Sequence, residues 1–134
     1  VRRYREDRLR GTGLAPLFPL WGLPTRELAE DMIAAGVRAV LTCVDTRALP
    51  REFAGLDFAD ALRSLPAAVD PCGERGEFHT CVTAGPMFAR PLTVRAGQIV
   101  DRDPFVFADF ESTADTADQP ANSTCTRFGI NPAS

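Results

Sequence analysis

The sequence predicts a mixed α/β domain: a βαβ unit with a short parallel sheet, followed by antiparallel hairpin strands toward the C-terminus. Three observations carry this reading. An amphipathic stretch at residues 25–35 ends on a glycine, a nearly continuous apolar run follows at 37–44, and beyond Glu77 the pattern changes to period-two alternation broken by short turns. With 134 residues, 45% apolar and 25% charged, the chain is long enough to bury a core and has the composition of a globular protein.

Residues 1–10 read as the end of a charged helix stopped by Gly11-Thr12-Gly13. A short edge strand is predicted at 17–21, with Pro19 confining it to an edge or a strand end. The helix after it takes Thr25 as N-cap and Glu27 in the first turn. Leu28, Ala29, Met32, Ile33 and Ala35 form its apolar stripe, and Gly36 stands at the C′ position. The apolar run 37–44 is then expected as a buried parallel strand. In open α/β sheets ligands gather beyond the carboxyl ends of strands, which here carry Trp21-Gly22 and Asp45-Thr46. Asp57 caps a second helix that Pro66 ends, and 77–83 alternates as a strand. Residues 92–100 read as a hairpin turning at Ala96-Gly97, and 105–107 as a last strand. From Ser112 onward the composition predicts a disordered tail, 112–134.

All fifteen cations are Arg. The absence of Lys excludes Schiff-base chemistry and any Gly-rich phosphate loop ending in Lys. Five Arg in residues 1–10 stand beside Glu6 and Asp7, a solvated ion-paired helix face rather than a nucleic-acid site, since the whole chain carries a net charge of −3. No stretch approaches a membrane span and no leader opens the chain, so the four Cys are read as reduced and the expected location is cytoplasmic.

The segment 70–81, Asp-Pro-Cys-Gly-Glu-Arg-Gly-Glu-Phe-His-Thr-Cys, holds the densest chemistry and the chain's lone His. Gly73 and Gly76 permit tight turns ahead of Glu74 and Glu77. Strand alternation is expected to put Glu77, His79 and Cys81 on one face, with Glu74 nearby as a further carboxylate for acid–base work. The bland alternative is a solvated turn. A zinc set of Cys72, His79 and Cys81 is a third reading, though Cys72 and Cys81 lack the paired Cys-X-X-Cys spacing of structural sites.

The runs 17–22, 39–45 and 72–80, above all Gly-Glu-X-Gly-Glu-Phe-His-Thr, resemble the diphthine–ammonia ligase family of adenine nucleotide alpha hydrolase-like ATP pyrophosphatases. The resemblance covers about residues 1–110. It implies a C-terminal substrate-binding part (14–111) preceded by the last helix of an ATP domain of the HUP type (1–13), with the rest of that domain missing. The implied reaction adenylates a carboxylate, then lets ammonia displace AMP to leave an amide. The implied catalytic residues are Glu74, Glu77 and His79, and the implied substrate-binding residues are Trp21, Asp45, Gly73, Gly76 and Thr80, with no metal ligand among them. ATP and Mg would be bound mainly by the missing domain, whose Ser-Gly-Gly-Lys-Asp-Ser loop this chain lacks, and the chain alone is expected to be inactive. Arg75 stands where the family often has Asn. The expected partners are the carboxylate substrate and ammonia, with translation elongation factor 2 as the archaeal or eukaryotic substrate; a homodimer is a further expectation, nucleic acid and membrane are not. The competing function is a non-catalytic substrate- or partner-binding module.

Overall fold

The computed structural model describes residues 2–113. Of the tail expected to be disordered, only Ser112 and Thr113 fall among them, Ser112 as the last residue of a strand; 114–134 lie outside the described residues. The order of elements is α1 (Arg2–Leu9), α2 (Thr25–Ala34), β1 (Arg38–Asp45), a 3₁₀ turn (Arg51–Phe53), α3 (Phe58–Ser64), β2 (Phe78–Ala84), β3 (Val94–Arg102) and β4 (Phe105–Ser112). Among the described residues no helix is long and apolar enough to cross a membrane.

The mixed helix-and-strand class is as the sequence predicts, but among the described residues the sheet has no parallel pair. Its four strands run in the order β2-β1-β4-β3 and every pairing is antiparallel. The predicted βαβ unit fails at its first strand: residues 17 and 18 have no regular structure and 19–22 form turns, with Leu17 86% exposed. Pro16 and Pro19 each lack an N–H, which disfavours ladder pairing along this stretch. The apolar run of β1 has a different origin from two covered faces. Its register slips between Leu41 and Cys43, where Thr42 is the extra residue, so Leu41 and Val44 both reach the core across a bulge.

The core lies on one face of the sheet. Leu41, Val44, Phe78, Val106 and Ala108 pack there against Ala29 of α2, Phe58, Ala61 and Leu62 of α3, and Leu49, Phe53 and Val69 from the connections. Each large side chain sealed in this layer contributes about 1.5–3 kcal/mol of apolar burial. Where β4 no longer pairs with β1, the chain at 55–57 continues the ladder: Leu41 N–H donates to the Leu56 carbonyl (2.9 Å) and Gly55 N–H to the Leu41 carbonyl (2.8 Å).

Helix ends follow the sequence with one exception. Asp57 caps α3, accepting from Ala59 N–H at 2.8 Å, and Gly36 follows α2 with φ 89°. Thr25, however, is the first residue of α2, and Pro24 occupies the cap position. The predicted hairpin also shifts. β3 runs through Ala96-Gly97 to Arg102, and the chain reverses at Asp103-Pro104. Gly97 marks a register irregularity, not a turn: a Cβ there would sit 3.1 Å from the Asp109 Cβ. The charged helix α1 buries nothing and carries ion pairs Arg2–Glu6 and, just beyond its end, Arg10–Asp7, both at 2.8 Å.

Candidate functional site

The segment between α3 and β2 closes on itself. The Asp70 carbonyl accepts from Gly73 N–H (2.9 Å), its Oδ1 from Cys72 N–H (2.8 Å), and the Gly73 carbonyl from Gly76 N–H (3.0 Å). Glu77 then turns its side chain inward rather than along the strand face. Its Oε1 accepts from Asp70 N–H (2.9 Å) and its Oε2 from Arg75 N–H (3.0 Å), while its carbonyl accepts from Asp45 N–H (2.8 Å). At 7% exposure it is the one charged side chain buried among the described residues. Buried carboxylates persist where such charge-assisted bonds replace water. Gly73 and Gly76 both have positive φ, 67° and 84°. A Cβ on Gly73 would lie 2.8 Å from the Phe78 carbonyl oxygen, so the close turn predicted at that position is required.

Thr25, released from capping, ties this loop to α2. Its hydroxyl donates to Asp70 Oδ2 at 3.0 Å, and the Cys72 thiol donates to the Thr25 carbonyl at 3.3 Å. Burial, with the charges of Asp70 and Glu74 adding to it, pushes the Cys72 thiol up from its ordinary pKa.

Against this loop lies a cavity of about 600 Å³ lined by residues 18–23, Thr25, Leu28 and Glu74. Turn bonds hold the apolar wall: Trp21 N–H donates to the Phe18 carbonyl (3.1 Å) and Leu23 N–H to that of Leu20 (3.3 Å), with Gly22 at φ 84°. The Phe18 and Trp21 rings meet edge to face, 6.2 Å apart and inclined at 65°. The Arg2 guanidinium lies over both, 5.2 Å from the Phe18 centroid and 5.5 Å from that of Trp21. An apolar cavity with one convergent carboxylate has the general form of a small-molecule site.

The structure therefore brings Trp21 and Glu74 together on the framework of Gly73 and Gly76. It does not bring Glu74, Glu77 and His79 into one acid–base cluster. Glu77 spends both oxygens on main-chain N–H groups, because it precedes the first ladder residue, Phe78, and escapes strand alternation. His79 is exposed on β2, opposite Cys43, and lines a separate groove of about 490 Å³ with Thr42, Phe105, Phe107 and Asp109. Thr80 is exposed beside it. Asp45, at the end of β1, is committed to Arg47. Its carboxylate accepts from that guanidinium (2.6 Å at the shortest) and from the Arg47 main-chain N–H (2.9 Å), which hold its pKa down at about 2.

Among the described residues no three His, Cys, Asp or Glu side chains stand together as metal ligands, so Cys72, His79 and Cys81 do not form the zinc set. Burial also raises the pKa of Cys43, with the nearby Asp45 charge adding to it. Sequence reasoning missed Phe18, Leu28 and Asp70 as site residues. Asp70 was legible as the start of an Asp-Pro-X-Gly turn, whereas the other two were assigned to a strand and to a helix stripe.

No family model matches the chain. In a comparison with curated proteins it is 31% identical over 101 residues to the diphthine–ammonia ligase of Schizosaccharomyces pombe (strain 972). That stretch covers 72% of this chain and 17% of the ligase, so the chain matches about a sixth of that relative's length. A glycine-built loop sealed by a buried Glu, beside an aromatic cavity, thus sits in a chain distantly similar to one part of a diphthine–ammonia ligase.

Proposed function

We propose that the chain is the substrate-binding part of an ATP-dependent ligase that converts a carboxylate to an amide with ammonia. The observation that carries this is the Trp21–Glu74 cavity, built by the Gly-Glu-X-Gly-Glu loop, in a chain similar to part of a diphthine–ammonia ligase. Nucleotide chemistry is assigned elsewhere. The chain has no Lys for a Gly-rich phosphate loop, and ATP and Mg are assigned in this reading mainly to a domain outside it. A separate ATP domain, whose last helix α1 would be, is part of this reading.

In this assignment Glu74 is the carboxylate that meets the substrate or the incoming ammonia. Glu77 is a positioning residue that fixes the loop bearing Glu74, and the apolar wall at Trp21 excludes water from the bound group. Elongation factor 2 carrying diphthine is the substrate proposed. Calorimetric titration of the chain with that factor tests it. Saturable binding is expected for the diphthine-bearing form, weakened about fivefold or more by Glu74→Gln, which removes a charge-assisted contact. Equal binding of the unmodified factor, or of the Glu74→Gln chain, overturns the reading.

A second reading, a partner-binding module, is favoured by one observation: Leu14, Leu17, Leu20, Trp21 and Leu23 are 48–86% exposed along one segment. Sedimentation showing a monomer at all accessible concentrations would remove its homodimeric form.

A further inference from the structure

We propose that the open face of the sheet holds a guanine nucleotide. The base slots between His79 and Phe107 above Cys43, its N–H edge meets Asp109, and its phosphate lies toward Arg102.

The core covers one face of the sheet, through Val44, Phe78, Val106 and Ala108. Alternation turns Cys43, His79, Phe105, Phe107 and Asp109 to the other face, where they line the groove of about 490 Å³. This groove shares no lining residue with the Trp21–Glu74 cavity. Register fixes its shape. Cys43 pairs with His79 on β2 and with Phe107 on β4, so two rings flank one small side chain. Two strand spacings separate those rings, roughly 9.5 Å. Aromatic rings stack with centroids about 4.5–7 Å apart, so a flat ring fits between the pair and a bulky group does not.

The ends of the slot carry opposite charge. Asp109 is exposed two residues beyond Phe107 and has no ion pair among the described residues. At the other end Arg102 stands opposite Phe105 and lays its guanidinium over Phe107, 5.5 Å from the centroid. It too has no anion partner among the described residues, whereas Arg47, over the Phe105 ring, is neutralised by Asp45. An ionised carboxylate only accepts hydrogen bonds, and it takes two parallel N–H donors best. Guanine presents its N1–H and N2–H₂ donors side by side on one edge; adenine turns an acceptor nitrogen to the same place. A net charge of −3 and the lack of Lys disfavour a polyphosphate backbone, so the assignment is to a free mononucleotide.

The test is calorimetric titration of the chain with guanosine 5′-monophosphate. Adenosine and xanthosine monophosphates, guanosine and a single-stranded guanylate tetranucleotide are the comparators. Saturable binding of the guanine nucleotide is expected, at least about tenfold tighter than that of the adenine one, the discrimination a bidentate contact supplies. Asp109→Asn should weaken it about fivefold or more and turn the preference to xanthosine monophosphate, whose O2 accepts from the side-chain amide. Arg102→Gln should weaken guanosine monophosphate about threefold or more and leave guanosine unchanged. Both residues are exposed, so both variants should keep the wild-type urea midpoint. Emission from Trp21, the chain's single Trp, should not respond, because it lines the other cavity. No saturable binding at millimolar nucleotide, equal binding of the adenine nucleotide, an unmoved affinity in Asp109→Asn, or a Trp21 response overturns the proposal. A tetranucleotide that binds more tightly than the mononucleotide overturns the assignment to a free nucleotide.

Discussion

Loop 70–77 and the segment 14–24 line one cavity, yet they are held in place by different means. The loop is closed from inside by the Glu77 carboxylate and is joined to α2 through Thr25 and to β1 through Asp45. The apolar segment is held by single turn bonds at Trp21 and Leu23 and leaves its large side chains half or more in water at Leu14, Leu17, Leu20 and Trp21. Polar residues are thus ordered and apolar ones exposed, the reverse of the usual partition. The contrast assigns precision to the carboxylate side of the cavity and adaptability to the aromatic side.

Glu77→Ala should break the comparison most severely. It strands two main-chain N–H groups in a half-buried loop, at a cost of about 1–3 kcal/mol in urea unfolding. A loss under about 0.5 kcal/mol would mean that the loop is not held by this side chain. Next comes Gly73→Ala, expected to cost about 1–3 kcal/mol through its positive φ and the Phe78 carbonyl. Gly76→Ala, with the same sign of φ but open space around it, should cost only about 1 kcal/mol. Equal losses at the two glycines would show that backbone strain alone decides both.

These expectations show how far the loop was legible. The Gly-Glu repeat announced tight turns, and Gly73 and Gly76 make them with positive φ. What the pattern could not show is the direction of Glu77, since period-two alternation applies only once the ladder begins, one residue later. The sheet was misread for a related reason: a bulge at Thr42 and a glycine close approach at Gly97 each imitate another element in one-dimensional sequence. α3 with its Asp57 cap, the Gly36 stop and the first three residues of β4 needed only local chemistry and were readable. The cavity required residues 18 and 74 to meet, which no local pattern encodes.

A smaller effect is expected at the β1 end of the loop. The Asp45 pKa of about 2 lies below that of an unfolded carboxyl near 3.9, so its stabilising share is complete above about pH 4 and is lost as pH falls toward 2. Asp45→Asn should flatten that part of the acid-unfolding curve, and a curve unchanged from wild type would discount the Arg47 pairing. The smallest change belongs to the aromatic side. Leu17→Ser should alter the unfolding free energy by no more than about 0.5 kcal/mol, and a larger loss would mean that the segment is packed in solution.

The strand order has a consequence for synthesis. β1 lies between β2 and β4, and its pairing at Asp45 awaits Phe105, about sixty residues later. At ~5–20 residues per second a ribosome needs roughly 3–12 s to make that interval. Until β4 is made the Cys43–Asp45 end of the central strand lacks that neighbour, and for the first part of the interval β2 as well, so this end is an open template for pairing with another chain.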